Sequence, residues 1–387
     1  MEKGMGAKRQ DPARIRKRNA GFAAFFISGI CAISCGVVVS LLQERLGFDY
    51  AMTGTLLSMM NIGNLAASFA AAFLAGKIGM KKSVMLLTIG YAAGYLIMAS
   101  SGWIALLMAA FFLAGIGKGS TINTCTILVG DNSENRTRGM NIMHGCYAFG
   151  ALLCPFLISA AGLISPVFPM AALGVCGLIL WLIFAAAPME EKEKEKKKGT
   201  DWSFLKSRKF WILTGLLFCQ NGAETSVTGW LVTYFKGSGI LTGTLSTYTV
   251  TVMWLATLAA RMLFAFVFPI RKAEKAMIRM SIGCIVFYFG LMQAGSQWPA
   301  ILLLFAFAAS MAGMNPTAVA CAGQMTSVAS MGIMLPAASS GAILMPWVIG
   351  LVAEHAGIGT GMFCNMLPCG GMLILSMLAK KERERVK

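Results

Sequence analysis

Glu224 is the only carboxylate deep within an apolar stretch of this 387-residue sequence, which makes it the first candidate for chemistry. An ionised side chain at the centre of a membrane helix costs about 2.5 to 3.5 kcal/mol on insertion scales, so we expect a function or a partner to offset that cost. Gln220, Glu224 and Thr228 are spaced by four residues and would share one helix face, which Asn221 and Ser226 extend. This patch can bind a polar solute or carry a proton. The alternative is that Glu224 is permanently paired, or protonated, as a structural hydrogen-bonding group.

Lys118 and Asn123 lie inside another apolar stretch, together with several hydroxyl side chains. Lys118 is about ten residues, or about 15 Å of helix rise, from the basic end of that stretch. Its ammonium would therefore reach water by snorkelling only with difficulty, although snorkelling remains the alternative. We predict that Lys118 and Asn123 bind solute in a polar interior and that Lys118 is the partner of Glu224.

His144 and Tyr147 are three residues apart and would share a helix face. They offer a titratable or hydrogen-bonding ring and an aromatic wall on which a sugar ring could pack. A hydrogen bond that only joins two helices is the alternative for His144. Trp254 and Asn315 are further candidate binding residues, although buried amides often just hold membrane helices together.

The composition requires a membrane protein. The chain is 57% hydrophobic and 13% charged, with a mean hydropathy of +0.70, whereas a soluble domain has about 25% charged residues. The formal charge of +17 does not indicate a nucleic-acid partner, because the basic residues lie between apolar runs. The 11 cysteines lie inside apolar segments without metal-ligand spacing. We therefore expect the lipid bilayer as a partner, and no nucleic acid, metal, cofactor or enzymatic activity.

Apolar runs of about 20 residues, the length that crosses a bilayer as a helix, recur along the chain. They predict an all-α integral membrane fold with twelve transmembrane helices. The predicted spans, numbered 1 to 12, are 20–42, 53–75, 83–100, 103–128, 139–162, 167–187, 210–235, 243–268, 276–293, 298–321, 328–353 and 359–379.

The basic residues predict the orientation of these spans. Of the 33 Lys and Arg residues, 29 fall on the side of the termini, whereas Arg45 and Lys236 fall on the other side. Loops rich in Lys and Arg stay in the cytoplasm. We therefore predict a multi-pass protein of the cell membrane, inner or plasma, with both termini cytoplasmic.

A charged linker divides the chain into two halves that resemble each other. The sequence predicts a cytoplasmic basic arm at 1–19, a six-helix half at 20–187, the linker at 188–209, a second six-helix half at 210–379 and a tail at 380–387. The string GALLCP at Gly150–Pro155 matches GAILMP at Gly341–Pro346, with an offset of 191 residues. Parallel repeats of this kind have a solute site near the bilayer midplane and rock around it. Chance similarity between apolar segments is the alternative.

Three short motifs resemble those of the major facilitator superfamily. LAGKIGMKK at Leu74–Lys82 resembles the G-x-L-A-D-R-x-G-R-K signature between helices 2 and 3, with Gly76 in place of the signature Asp. In predicted span 5, residues 141–151 are similar to the N-x-x-H-x-x-F-x-x-G-A pattern of fucose-permease-like facilitators. In predicted span 7, residues 224–234 are similar to the E-x-x-x-x-G-W-x-x-T-Y element of the same group.

The resemblance implies the major facilitator fold, two six-helix parallel repeats, and secondary transport of a small polar solute such as a sugar. It implies gating roles for Lys77, Lys81 and Arg261, and a coupling role for Glu224. The acids that the fucose permease uses on helices 1 and 4 have no counterpart here. Proton symport, sodium coupling and uncoupled uniport therefore all stay open, and we expect a monomer. A drug or metabolite efflux facilitator is the alternative within transport, and an intramembrane enzyme or receptor the alternative outside it.

Overall fold

The computed structural model describes residues 11–134, 136–189, 203–241, 243–267, 270, 272–322 and 328–385, and these contain helices and no strand. The central part of the predicted linker, 190–202, lies outside the described residues. The helices are α1 (Pro12–Ile33), α2 (Cys35–Leu46), α3 (Tyr50–Ile78), α4 (Met80–Ser100), α5 (Ile104–Asn132), α6 (Arg136–Gly162), α7 (Phe168–Ala186), α8 (Arg208–Ser238), α9 (Gly243–Met262), α10 (Ala273–Met292), α11 (Gln297–Met311), α12 (Met314–Ala322), α13 (Val328–Phe363) and α14 (Met366–Arg385). A short 3-10 helix, Ser203–Lys206, precedes α8, and a π-helical turn, Leu263–Val267, follows α9.

Local chemistry sets several helix boundaries. α1 begins at Pro12, within the predicted arm, because the Asp11 side chain accepts a hydrogen bond from the Ala13 amide at 3.0 Å. Proline suits the first turn of a helix, where its missing N–H would have no partner. Gly79 separates α3 from α4 with φ 83°, a backbone conformation that favours glycine.

The helices match the predicted spans in order. Nine stretches of the described residues are long and apolar enough to cross a membrane. The last, Ile333–Arg385, has 53 residues, and Gly357, with φ 83° and ψ 157°, breaks it between predicted spans 11 and 12. The more polar α8 and α9 correspond to spans 7 and 8. α1 and α2 form span 1, and α11 and α12 form span 10. The fold class predicted from the sequence is confirmed, whereas the domain boundaries stay a prediction.

The repeat found in the sequence has a counterpart in the packing. A methyl group at Gly150 on α6 would overlap the carbonyl oxygen of Phe26 on α1. A methyl group at Gly341, its partner in the repeat, would likewise overlap the carbonyl oxygen of Phe218 on α8. The same close approach therefore joins the first and fifth spans of each half.

The helix ends near the two termini gather on one side of the bundle, which we call the basic face. Arg14 donates to the carbonyl of Asp131 at 3.2 Å, and Arg16 donates to that of Ala186 at 3.3 Å. On the same side, Arg383 near the end of α14 pairs with the buried carboxylate of Glu274 at the start of α10. The other side, where α2 and α8 end, is the opposite face.

Candidate functional site

A chain of hydrogen bonds joins three of the predicted binding residues. Gln220, one turn before Glu224 on α8, donates its amide to the Glu224 carboxylate. Asn315 on α12 donates to the Gln220 side-chain oxygen at 2.9 Å. Gln220 is buried, whereas Glu224 and Asn315 are half-buried. The four-residue spacing therefore does place Gln220 against Glu224, and Asn315 orients the amide of Gln220.

Lys118 lies in the same region as these hydrogen bonds. It is half-buried at the middle of α5, and its ammonium is within electrostatic range of Glu224 and of the Cys35 thiol. Among the residues that the structure describes, Lys118 makes no hydrogen bond and no ion pair. The predicted pairing of Lys118 with Glu224 is therefore an electrostatic interaction at a distance in this structure.

Four aromatic rings form one wall of this region. The buried ring of Phe25 on α1 is 5.6 Å from His144 and 5.0 Å from Tyr147, measured between ring centroids. Tyr147 is in turn 5.7 Å from Trp254 on α9, in an edge-to-face arrangement. The His144 side chain is exposed although it packs against a buried ring, which is expected of a group that faces an internal gap. Tyr147 and Trp254 thus meet across the boundary between the two halves.

Arg261 is the second cation of the region, and the local sequence of span 10 explains its position. Pro316 has no N–H to donate to the carbonyl of Ala312, where span 10 is interrupted between α11 and α12. Arg261 donates its Nε to that carbonyl at 3.3 Å. The guanidinium is also within electrostatic range of His144 and Tyr147 in the other half.

We call these eight residues the central cluster, because hydrogen bonds, ring contacts or electrostatic interactions connect them and they come from both halves. They are Lys118, His144, Tyr147, Gln220, Glu224, Trp254, Arg261 and Asn315.

The two halves are in close contact towards the opposite face. Lys236 at the end of α8 pairs with Glu44 at the end of α2, with 2.7 Å between nitrogen and oxygen. The Tyr50 amide donates to the Glu354 carboxylate at 2.9 Å. Deeper in the bundle, the Ser58 hydroxyl donates to the carbonyl of Ile343 at 2.7 Å. These contacts join the two halves at the opposite face.

A cavity of about 1350 Å³ lies between the halves towards the basic face. Asn123 lines it and is one to two turns closer to the basic face than Lys118. Lys77 also lines the cavity, on the side of α3, and Ser339 lines it from α13. Asn123 therefore belongs to the path towards the basic face rather than to the central cluster.

The other predicted residues lie outside the cluster. Lys81 donates to the carbonyls of Phe184, Ala185 and Ala187 at 2.6 to 2.7 Å, and so caps the end of α7 within its own half. The exposed Lys77 ammonium is 4.3 Å from the centroid of the Phe73 ring on its own helix. Asn221 is half-buried on α8. The gating roles of Lys77 and Lys81 and the binding role of Asn221 stay predictions.

Sequence reasoning missed several residues of the site. Phe25 has no distinguishing pattern among the apolar residues of span 1, so only packing reveals its contacts with His144 and Tyr147. The contact between Glu44 and Lys236 had a weak signal in the sequence. Lys236 is one of only two basic residues on its side of the predicted membrane, and Glu44 is an acid at the end of a span.

Comparison with known proteins identifies the family. Residues 21–346, most of the chain, match the family described as Major Facilitator Superfamily. The chain belongs to this superfamily. It is therefore a membrane transporter with the major facilitator fold, as the sequence motifs predicted.

Two bacterial proteins are similar to this chain. Protein TsgA of Escherichia coli O157:H7 is 22% identical over 361 residues, which is 89% of each chain. The probable sulfoacetate transporter SauU of Cupriavidus necator is 22% identical over 236 residues, so the match spans about 55% of either protein.

Solved structures with the same fold include three transporters. A bacterial homologue of the human lysosomal transporter Spinster, inward-facing and unoccupied, has a TM-score of 0.77 at 12% identity and covers 97% of this chain and 98% of its own. The nucleoside transporter NupG has a TM-score of 0.74 at 15% identity, with coverages of 96% and 99%. FucP in the outward conformation has a TM-score of 0.63 at 16% identity, with coverages of 95% and 99%.

Proposed function

We propose that this protein is a secondary transporter that binds a small polar, sugar-like solute at the central cluster and moves it by alternating access. The observation that carries the proposal is that the cluster joins polar and aromatic side chains of both halves near the middle of the spans. A solute held there would contact both moving bodies. This is the location that alternating access around a midplane site requires.

The proposed state of the structure is open at the basic face and closed at the opposite face. The contacts of Glu44 with Lys236 and of Tyr50 with Glu354 support closure of the opposite face. The cavity lined by Asn123 supports opening at the basic face. With the topology predicted from the basic residues, this is an inward-open state. The similarity to the Spinster homologue, solved inward-facing, agrees with this orientation.

The proposed solute contacts follow from the chemistry of the cluster. The rings of Tyr147 and Trp254 offer a flat apolar surface for the C–H face of a sugar ring. Gln220, Glu224 and Asn315 offer donors and acceptors for hydroxyl groups. The names of the similar proteins include a nucleoside and a sulfoacetate transporter, so small polar solutes are common among them.

We further propose that Glu224 couples transport to an ion, with a proton as the first candidate and sodium as the second. A half-buried carboxylate that accepts a hydrogen bond from one amide can exchange a proton when the site opens to water on either side. If neither a pH gradient nor a sodium gradient drives accumulation, the protein is a uniporter and Glu224 binds solute only.

Binding to the purified protein tests the proposed site. A thermal-shift panel of sugars, sugar acids, polyols and nucleosides should contain compounds that raise the unfolding temperature, because a bound solute stabilises the native state by mass action. Tyr147→Ala and Gln220→Ala should lower the affinity for such a compound about ten-fold or more, while the protein still folds. Ile142→Ala is the matched control, since Ile142 is exposed on the same helix as Tyr147. Unchanged affinity in both variants would refute the assignment.

A further inference from the structure

The charges of the central cluster do not balance. The two basic side chains, Lys118 and Arg261, outnumber Glu224, which is the one carboxylate among the eight residues. With His144 neutral, the cluster has an excess of one positive charge.

The hydrogen-bonding pattern shows which charges lack a partner. The Glu224 carboxylate already accepts a hydrogen bond from Gln220. The Lys118 ammonium, in contrast, has three donor hydrogens and makes no hydrogen bond with any residue that the structure describes. Arg261 donates its Nε to the Ala312 carbonyl, and its two terminal nitrogens make no hydrogen bond with the described residues, so they remain to bind a ligand. Lys118 and Arg261 therefore offer unused cationic donors.

The position of Lys118 favours an external partner. It is at the middle of α5 (Ile104–Asn132), about 21 Å of helix rise from either end, so the ammonium cannot reach the headgroups. An unpaired cation at this depth is costly. Trp254 adds a neutral donor, because its buried Nε1 has no hydrogen-bond partner among the described residues.

We propose that the solute is a small hydroxylated organic anion with one negative charge, of the sugar-acid type. This inference rests on the proposed function and names its substrate class. The acidic group binds Lys118 and the free guanidinium nitrogens of Arg261. The hydroxylated body packs on Tyr147 and Trp254, with the Trp254 Nε1 donating to a hydroxyl or ring oxygen. One negative charge neutralises the cluster, whereas a neutral sugar would leave Lys118 without a partner.

Matched pairs of acid and neutral compounds test the proposal. Purified protein in lipid nanodiscs is titrated with galactonate and galactose, gluconate and glucose, and glucuronate, with propionate as an anion that lacks hydroxyls. We expect at least one acid to bind about ten-fold or more tightly than its neutral counterpart, because charge-assisted hydrogen bonds are the stronger kind. Propionate should bind more weakly than the sugar acids, because it cannot use the aromatic wall and the amides.

Substitution of Lys118 provides the second arm. Lys118→Met should weaken acid binding about ten-fold or more and change neutral-sugar binding little, and Lys118→Arg should retain part of the preference for acids. Lys275→Met, at an exposed lysine on α10, is the control for loss of a positive charge and should bind like wild type. If Lys118→Met does not fold, the ratio of acid to neutral affinity in the wild type still decides the question.

The outcomes separate this inference from the proposed function. If neutral sugars bind as tightly as their acids, and Tyr147→Ala abolishes that binding, the polar-solute transporter stands and the anion proposal is wrong. Equal weakening of acids and neutral sugars by Lys118→Met would show that Lys118 supports the site without binding the charge, which also overturns the proposal. If no compound of either panel binds, both the proposed function and the anion proposal fail.

Discussion

Gly54→Ala should open the opposite face. Gly54 on α3 lies against α13 of the other half, and a methyl group there would be 2.8 Å from the Pro346 carbonyl oxygen and 3.1 Å from the Gly350 Cα. Both atoms belong to the backbone and cannot turn aside as a side chain would. The methyl group therefore fits only if the two halves separate at this face.

The magnitude follows from the cost of the overlap. Extra methyl groups in a well-packed interface cost about 1 to 3 kcal/mol. The overlap destabilises only the state that is closed at the opposite face. The ratio of the state open at that face to the closed state should therefore rise by about 5- to 150-fold. The ion pair of Glu44 and Lys236 is a weaker target, because Glu44 is 55% exposed and exposed pairs contribute about 0 to 1 kcal/mol.

Electron spin resonance can measure the shift. Spin labels at Arg45 and Ser238, near the ends of α2 and α8, report the separation of the halves at the opposite face, in a background without the 11 native cysteines. Gly54→Ala should add a longer-distance population. Gly76→Ala is the matched control on the same helix, because a methyl group there meets nothing within 4 Å. A wild-type distance distribution in Gly54→Ala, whether or not the protein is less stable, would refute this account of the closed interface.

Three further predictions concern coupling, topology and packing. Glu224→Gln, which mimics the protonated acid, should abolish solute accumulation driven by a pH gradient in proteoliposomes but leave exchange down a solute gradient. Accumulation at the wild-type level would exclude Glu224 as the coupling group. A cysteine at Gly237 should react with an impermeant reagent from outside the cell, and one at Lys194 only after permeabilisation, so the reverse pattern would invert the predicted topology. Lys81→Met removes three charge-assisted hydrogen bonds to the end of α7 and should lower the free energy of unfolding by about 1 to 3 kcal/mol. Lys82→Met, at the exposed neighbour, should not lower it, and equal stability of the two variants would contradict the capping role.

The class of the molecule and the order of its helices could be predicted from the sequence. Hydrophobic length and the charged gaps between spans are local properties, and in a bilayer an apolar run of about 20 residues has no other stable form than a helix. Glu224 and Gln220 were also predictable as neighbours, because residues four apart on a helix share a face whatever the helix packs against. The boundaries were less predictable, since the start of α1 at Pro12 depends on the Asp11 cap and not on hydropathy.

Which helices bring their polar residues together depends on the packing of the whole bundle. Asn315 on α12 contacts Gln220 on α8, and Tyr147 contacts Trp254 across the boundary of the halves. Neither contact has a signal in the spacing of residues that are about 100 positions apart. Among the residues that the structure describes, Lys118 has no direct partner, and this too depends on packing. The periodicity of one helix shows which residues share a face, but the neighbour of that face depends on how all the helices pack.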